Sequence, residues 1–123
     1  MPRQSKWVGV DWDGTLVKTV PHKDDAGTSG AFIRPICELV EEILEAGTEV
    51  RVFTARVSPS NSPADVAVAR DAIEEKFEER FGVKPKVTCE KDADCLAIID
   101  NIAVCVLAER GAISDLNGLI DEY

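Results

Sequence analysis

The stretch WVGVDWDGT, residues 7–15, places an apolar run directly before two carboxylates, Asp11 and Asp13, and then continues with Gly14 and Thr15. A carboxylate at a rigid strand end, held beside a divalent cation, can attack phosphorus and form an aspartyl phosphate. In that chemistry Asp11 is the candidate nucleophile, and Asp13 is the candidate acid for the leaving group. Gly14 allows a tight turn close to a phosphate, and Thr15 supplies hydrogen-bond donors. The alternative is a plain strand that ends in an Asx-type turn, because Asp and Gly are also common turn residues.

The rest of the chain alternates predicted strands with predicted helices. Helical spacing of apolar residues predicts a first helix from Pro35 to Ala46, which ends before Gly47. A second helix is predicted from Pro63 to Phe81, with Ser62 as its cap and Gly82 as its stop. This alternation predicts an α/β fold, a Rossmann-like three-layer sandwich with a mainly parallel sheet. The later predicted elements are strands at Glu49 to Thr54, Val87 to Cys89, Leu96 to Ile99 and Val104 to Leu107, and a closing helical turn at Ser114 to Glu122.

Length and composition indicate a single globular domain over residues 1–123. Hydrophobic residues make up 45% of the chain and charged residues 30%, which excludes a disordered tail and a membrane protein. No apolar run approaches the length of a membrane span, and no export segment follows the first residues, so we expect a cytoplasmic protein. The four cysteines form no C-x-x-C pair and the chain has one His, which favours reduced thiols over a zinc site.

Other polar residues stand at the ends of the later predicted strands. Thr54 ends the second one, Lys91 follows the third, and Asp100 follows the apolar run from Leu96 to Ile99. Open parallel sheets place ligand-binding groups at these carboxyl ends. With residues 7–15, this set resembles the sequence motifs of the haloacid dehalogenase (HAD) superfamily, in the same order and over nearly the whole chain.

The resemblance implies a role for each matching residue. Asp11 would attack phosphorus, Asp13 would act as acid and then base, and Thr54 and Lys91 would hold the phosphoryl oxygens. The implied cofactor is Mg²⁺, bound by the Asp11 carboxylate, the Asp13 main-chain carbonyl and Asp100. The loop residues assigned to substrate binding are Gly14, Thr15, Ala55 and Arg56.

The chain departs from the family pattern at two positions. Asn101 stands where a second acid is common, and it keeps an acceptor oxygen but loses a charge. A magnesium site with fewer carboxylates should bind its ion less tightly. The other departure is Trp12, a bulky residue between the two aspartates, whose ring we expect to pack beside the sheet edge. Lys84 and Lys86 are rivals of Lys91 for the role of the cation.

The chain has no room for a cap domain. The segment 18–31 is polar and rich in turn residues, which predicts a flap over an otherwise open site. An open site suits a bulky substrate, or a small one that a second subunit encloses in a homo-oligomer. His22 in this flap is expected to be solvated and is not assigned to catalysis.

The net charge of −9 argues against nucleic acid as an obligatory partner, because affinity for nucleic acid depends on neutralising phosphates with Lys and Arg. We therefore expect a phosphorylated substrate and a Mg²⁺-dependent phosphomonoester hydrolase of the capless HAD type, with no membrane partner. A nucleic-acid end phosphatase is one alternative, suggested by Thr54-Ala55-Arg56. The other is a catalytically weak domain that binds a metal or a phosphorylated ligand, and Asn101 is its main support.

Overall fold

The computed structural model describes residues 6–20 and 30–103, which contain a four-stranded sheet and two α-helices. The sheet order is β3-β2-β1-β4 and all neighbouring strands are parallel, which confirms the predicted α/β fold with a parallel sheet. No cap domain is present in these described ranges. The elements are β1 (Trp7–Asp11), α1 (Arg34–Glu45), β2 (Glu49–Phe53), a 3₁₀ turn (Ala55–Val57), α2 (Pro63–Phe81), β3 (Val87–Thr88) and β4 (Cys95–Ile99).

The register between β1 and β2 determines which residues of the two strands lie side by side and where the strands end relative to each other. Val8 lies opposite Val50 and Val10 lies opposite Val52, and all of these valines are buried on one face of the sheet. Because side chains alternate along a strand, this single register fixes which residues face the core. Asp11 consequently ends β1 at the level of Phe53, the last residue of β2.

Both helices pack against this valine face. Cys37 and Val40 of α1 join one buried cluster with Ile73 and Phe77 of α2 and with the strand valines. The predicted bounds of α2 are confirmed: the Ser62 hydroxyl accepts from Asp65 N at 3.1 Å, and Gly82 ends the helix with a left-handed φ of 78°. Helix α1 begins and ends one residue before its predicted bounds.

The opposite face of the sheet is built around Trp7. Its ring is fully buried beneath the Arg51 guanidinium, which lies 4.5 Å from the ring centroid. Trp7 Nε1 donates to Asp92 Oδ1 at 2.9 Å, and Trp7 N donates to Asp94 O at 3.1 Å. These contacts draw the connection between β3 and β4 back toward the first residue of β1. Within residues 6–20 and 30–103, no helix packs on this face. Of the three predicted layers, the described residues therefore form two, the sheet and one layer of helices.

The two ends of the predicted flap pair with each other. Lys18 N donates to Ala31 O at 2.9 Å, and Ile33 N donates to Leu16 O at 2.8 Å, next to an antiparallel bridge between Val17 and Phe32. A methyl group added to Gly30 would overlap the Lys18 carbonyl oxygen, so this crossing requires glycine. The two ends of the flap are therefore tied to each other, while residues 21–29, which include His22, lie outside the described residues.

Strands β3 and β4 correspond to predicted strands, with ends that differ by one residue. Strand β3 stops at Thr88, whose side-chain hydroxyl accepts from Glu90 N at 3.0 Å and so turns the chain. The predicted strand Val104 to Leu107, the helical turn Ser114 to Glu122 and Cys105 lie outside the described residues. In the ranges that are described, Cys37, Cys89 and Cys95 are free thiols, and no helix is both long and apolar enough to span a membrane.

Candidate active site

Polar residues from three strand ends meet at the carboxyl edge of the sheet. Asp11 ends β1 opposite Phe53, and Thr54 comes directly after Phe53, one residue beyond the end of β2. Val10 lies opposite Ile99, so Asp100 follows at the level of Asp11 on β4. The structure thus brings together the predicted nucleophile, the predicted phosphate-binding threonine and the predicted metal ligand, side by side on adjacent strands.

Asp11 is in an environment that disfavours its charge. Burial raises the pKa of Asp11 to about 6, and the negative charge of Asp100 acts in the same direction. The Thr15 hydroxyl, which donates to Asp11 Oδ2 at 3.1 Å, lowers the pKa in part. A carboxylate of this kind is ionised at pH 7 and is more basic than an ordinary aspartate, which suits a nucleophile that accepts a phosphoryl group or a ligand of a cation.

Asp13 forms a bidentate ion pair with Arg56. Arg56 Nε donates to Asp13 Oδ2 at 2.6 Å and Arg56 Nη2 donates to Asp13 Oδ1 at 2.9 Å. Each side chain is 27% exposed, so the pair lies at the mouth of the site. The sequence suggested both residues separately, as an acid and as a substrate-binding residue, but nothing in the sequence indicated their contact across 43 positions.

The loop after β2 is braced by its own polar side chains. Thr54 is buried, and its hydroxyl accepts from Arg56 N at 3.2 Å, which caps the 3₁₀ turn that contains Ala55. Asn61 Nδ2 donates to Ala55 O at 2.9 Å and to Arg56 O at 3.3 Å. The Thr54 hydroxyl therefore faces the loop in this structure, and it can donate its own hydrogen to a phosphoryl oxygen while accepting from Arg56 N.

Asn101 lies directly over the first strand end. Its amide nitrogen, in the orientation that satisfies its neighbours, donates to Asp11 Oδ2 at 3.0 Å and to Asp100 Oδ1 at 3.1 Å. A methyl group added to Gly14 would lie 2.9 Å from the Asn101 amide, and Gly14 has a φ of +79° that side chains rarely adopt. Glycine at this position therefore lets the loop after β4 close over the loop after β1.

Asp11 and Asp100 are the two described carboxylates that could share a cation. One amide nitrogen touches both the Asp11 and the Asp100 carboxylates, so these two oxygen donors converge on a small space. Mg²⁺ sites commonly use one or two carboxylates and keep several waters, and the main-chain carbonyl of Asp13 would add a further oxygen. Among residues 6–20 and 30–103, no group of three or more His, Cys, Asp or Glu side chains is arranged to hold a metal.

Lys91 stands apart from the other predicted site residues. It is exposed three residues beyond β3, and the next residue, Asp92, is bonded to Trp7 at the first position of β1. Within the described ranges it forms no ion pair with Asp11, Asp13 or Asp100. Its predicted role, and that of its rivals Lys84 and Lys86, remains a prediction; Lys84 contacts Glu74 at 3.5 Å.

Trp12 packs in the core as expected. Its ring is fully buried and meets Phe32 edge to face, with ring centroids 6.1 Å apart. It thereby holds the loop that carries Asp11 and Asp13 against the base of the flap.

Comparison of the chain with protein-family models, with curated proteins and with solved structures found no match. Function is therefore inferred from the residues of the site and their geometry.

Proposed function

We propose that this chain is a Mg²⁺-dependent phosphomonoester hydrolase that works through a phosphoryl group on Asp11, as its resemblance to the HAD superfamily implies. The observation that carries the proposal is the convergence of Asp11, Thr54 and Asp100 at three adjacent strand ends. The raised pKa of Asp11 adds to it, because structural aspartates are more often hydrogen-bonded in ways that lower the pKa.

In the proposed first step, an Asp11 carboxylate oxygen forms a bond to phosphorus while the bond from phosphorus to the ester oxygen breaks. The Asp13 carboxyl gives its proton to that oxygen, and the alcohol leaves. In the second step water attacks the phosphorus of the aspartyl phosphate and gives a proton to Asp13. The Asp11 carboxylate is restored and inorganic phosphate leaves.

Other groups in this reaction bind and orient the phosphoryl group. The Thr54 hydroxyl is the proposed donor and Lys91 the proposed cation, while the N–H groups of Gly14 and Thr15 donate to Val17 O at 2.8 Å and Trp12 O at 3.4 Å and so brace the loop. Bound Mg²⁺ would offset negative charge on the transferring group. Its proposed ligands are the Asp11 and Asp100 carboxylates and the Asp13 carbonyl.

The test is phosphate release from a panel of phosphomonoesters with and without Mg²⁺. Wild-type protein should release phosphate only with the metal, and Asp11→Asn should be inactive because an amide cannot accept the phosphoryl group. Asp71→Asn, which changes an exposed aspartate of α2, is the matched control and should keep full activity. Metal-dependent turnover by Asp11→Asn at the wild-type rate would remove Asp11 as the nucleophile.

A second candidate is a weakly catalytic domain that binds a metal or a phosphorylated ligand. Asn101 favours it, because its amide bridges Asp11 and Asp100 and satisfies these carboxylates without a cation. This candidate predicts binding of Mg²⁺ or phosphate without turnover of any ester in the panel. A nucleic-acid end phosphatase receives no electrostatic support from the net charge of −9.

A further inference from the structure

The ion pair between Arg56 and Asp13 occupies the atoms that the proposed reaction needs. Both carboxylate oxygens of Asp13 accept from the guanidinium, at 2.6 and 2.9 Å. The guanidinium covers the edge of the carboxylate that it contacts, so an ester oxygen can approach Asp13 along that edge only after Arg56 has turned away.

The Arg56 side chain is placed to make that movement while its backbone stays fixed. The main chain of Arg56 is held on both sides, by the Thr54 hydroxyl on its N–H and by Asn61 on its carbonyl. The paired side chains are partly exposed, and a carboxylate or phosphate of a ligand can accept the same two hydrogen bonds from the guanidinium as Asp13 does. Exchange of one anionic partner for another is therefore inexpensive.

The position of Arg56 also determines which part of a substrate it would meet. Asp13 serves the ester oxygen, whereas Asp11 and Thr54 surround the transferring phosphoryl group. A cation beside Asp13 thus faces the alcohol portion of the substrate. The bidentate pair itself shows that a carboxylate fits this guanidinium, and a phosphate has matching geometry.

We propose that Arg56 determines substrate specificity by binding a second anionic group, a carboxylate or phosphate on the alcohol portion next to the ester oxygen, and that this exchange releases Asp13 for proton transfer. The inference depends on the proposed hydrolase function and names its substrate class: small phosphomonoesters that carry a second negative group. A substrate without such a group leaves Arg56 on Asp13 and turns over slowly.

Binding can be measured without turnover by using phosphonates, which lack the ester oxygen. Titration calorimetry in Mg²⁺ compares 3-phosphonopropionate, which carries a carboxylate, with propylphosphonate, which does not. Wild-type protein should bind the carboxylate compound at least about tenfold more tightly, the size expected for a charge-assisted contact. Arg56→Gln should lose this preference and Arg56→Lys should keep part of it, because lysine retains the charge but not the fork.

Arg34→Gln is the matched control, because it removes an exposed arginine whose partner is Glu38 on the surface of α1, and its preference should equal that of wild type. A kinetic comparison of phosphoglycolate with ethyl phosphate adds a second readout: the wild-type kcat should be higher for phosphoglycolate, and Arg56→Gln should reduce this difference.

The outcomes separate the two proposals. Two results would overturn the inference and leave the hydrolase proposal standing. One is equal binding of both phosphonates by wild type. The other is a preference that persists in folded Arg56→Gln, which metal chelation in solution would produce. Binding of neither phosphonate, together with no ester turnover, overturns both.

Discussion

Replacement of Asp11 by Asn should stabilise the fold at neutral pH while it abolishes phosphate release. Asp11 is desolvated by burial and lies near the negative charges of Asp100 and Asp13, so ionising it costs folding free energy. Asparagine keeps the size of the side chain and an oxygen that can accept from the Thr15 hydroxyl, but it removes the charge. A side chain whose charge is unfavourable for stability is typical of a functional site.

The magnitude follows from the pKa of Asp11, which is raised from 3.8 to about 6. A tenfold change in an ionisation equilibrium corresponds to about 1.4 kcal/mol, so the upper bound is about 3 kcal/mol. Asp11 keeps contact with water, and screening reduces the expected gain for Asp11→Asn to about 1 to 2 kcal/mol.

The sign depends on pH in a defined way. Below pH 3.8 the carboxyl is protonated in both the folded and the unfolded chain, so the wild type and Asp11→Asn should be nearly equal in stability. Between this pH and about 6 the unfolded chain ionises first, and the folded wild type loses stability relative to the variant. Above about pH 7 the gap should be constant.

Urea unfolding in EDTA, at pH values from about 4 to 8, measures this gap. The free energy of unfolding of Asp11→Asn minus that of wild type should rise across the range, while the same difference for the exposed Asp71→Asn should stay flat. A gap that does not widen, or an Asp11→Asn protein that is less stable than wild type at pH 8, would refute the assignment of Asp11 as a strained, functional carboxylate.

Other substitutions test separate parts of the site. Asn101→Asp should tighten Mg²⁺ binding, because a third carboxylate joins Asp11 and Asp100, and it should destabilise the metal-free chain. Calorimetric titration with Mg²⁺ measures the binding, and an unchanged Kd would place residue 101 outside the metal shell. Asp13→Asn should slow hydrolysis most for esters with poor leaving groups, and an equal loss across leaving groups of widely different pKa would count against its role as acid. Gly30→Ala should open the base of the flap at a cost of about 1 to 3 kcal/mol, because the methyl group meets the Lys18 carbonyl. Hydrogen exchange should then show faster loss of the Lys18 amide proton, whose bond to Ala31 O depends on this crossing, and unchanged protection would contradict the packing argument.

Local signals were sufficient to predict the framework of the site. Ser62 and Gly82 bound α2 because capping acts over a few residues, and the alternation of Val50 and Val52 with polar residues marks β2. The convergence of Asp11 and Thr54 then follows from parallel strands alone, because parallel strands end at one edge.

The contacts that shape the site's chemistry are long-range and were not predictable in this way. Arg56 reaches Asp13 across 43 positions, and the Asn101 amide reaches Asp11 because Gly14 leaves space for it. The path of the chain beyond β3 is set by Trp7, whose ring and main chain bind Asp92 and Asp94. Sequence spacing alone does not show these contacts, and so it does not show where Lys91 lies.

The most direct test of the proposed hydrolase is to look for the phosphoryl group on Asp11. The protein would be mixed with Mg²⁺ and an ester that it turns over, quenched in acid within the first turnovers and digested for peptide mass spectrometry. We expect the peptide that contains Asp11 to carry one added phosphoryl group, and we expect none in the Asp11→Asn protein. Rapid phosphate release with that peptide unmodified, or with the phosphoryl group on another residue, would contradict the account.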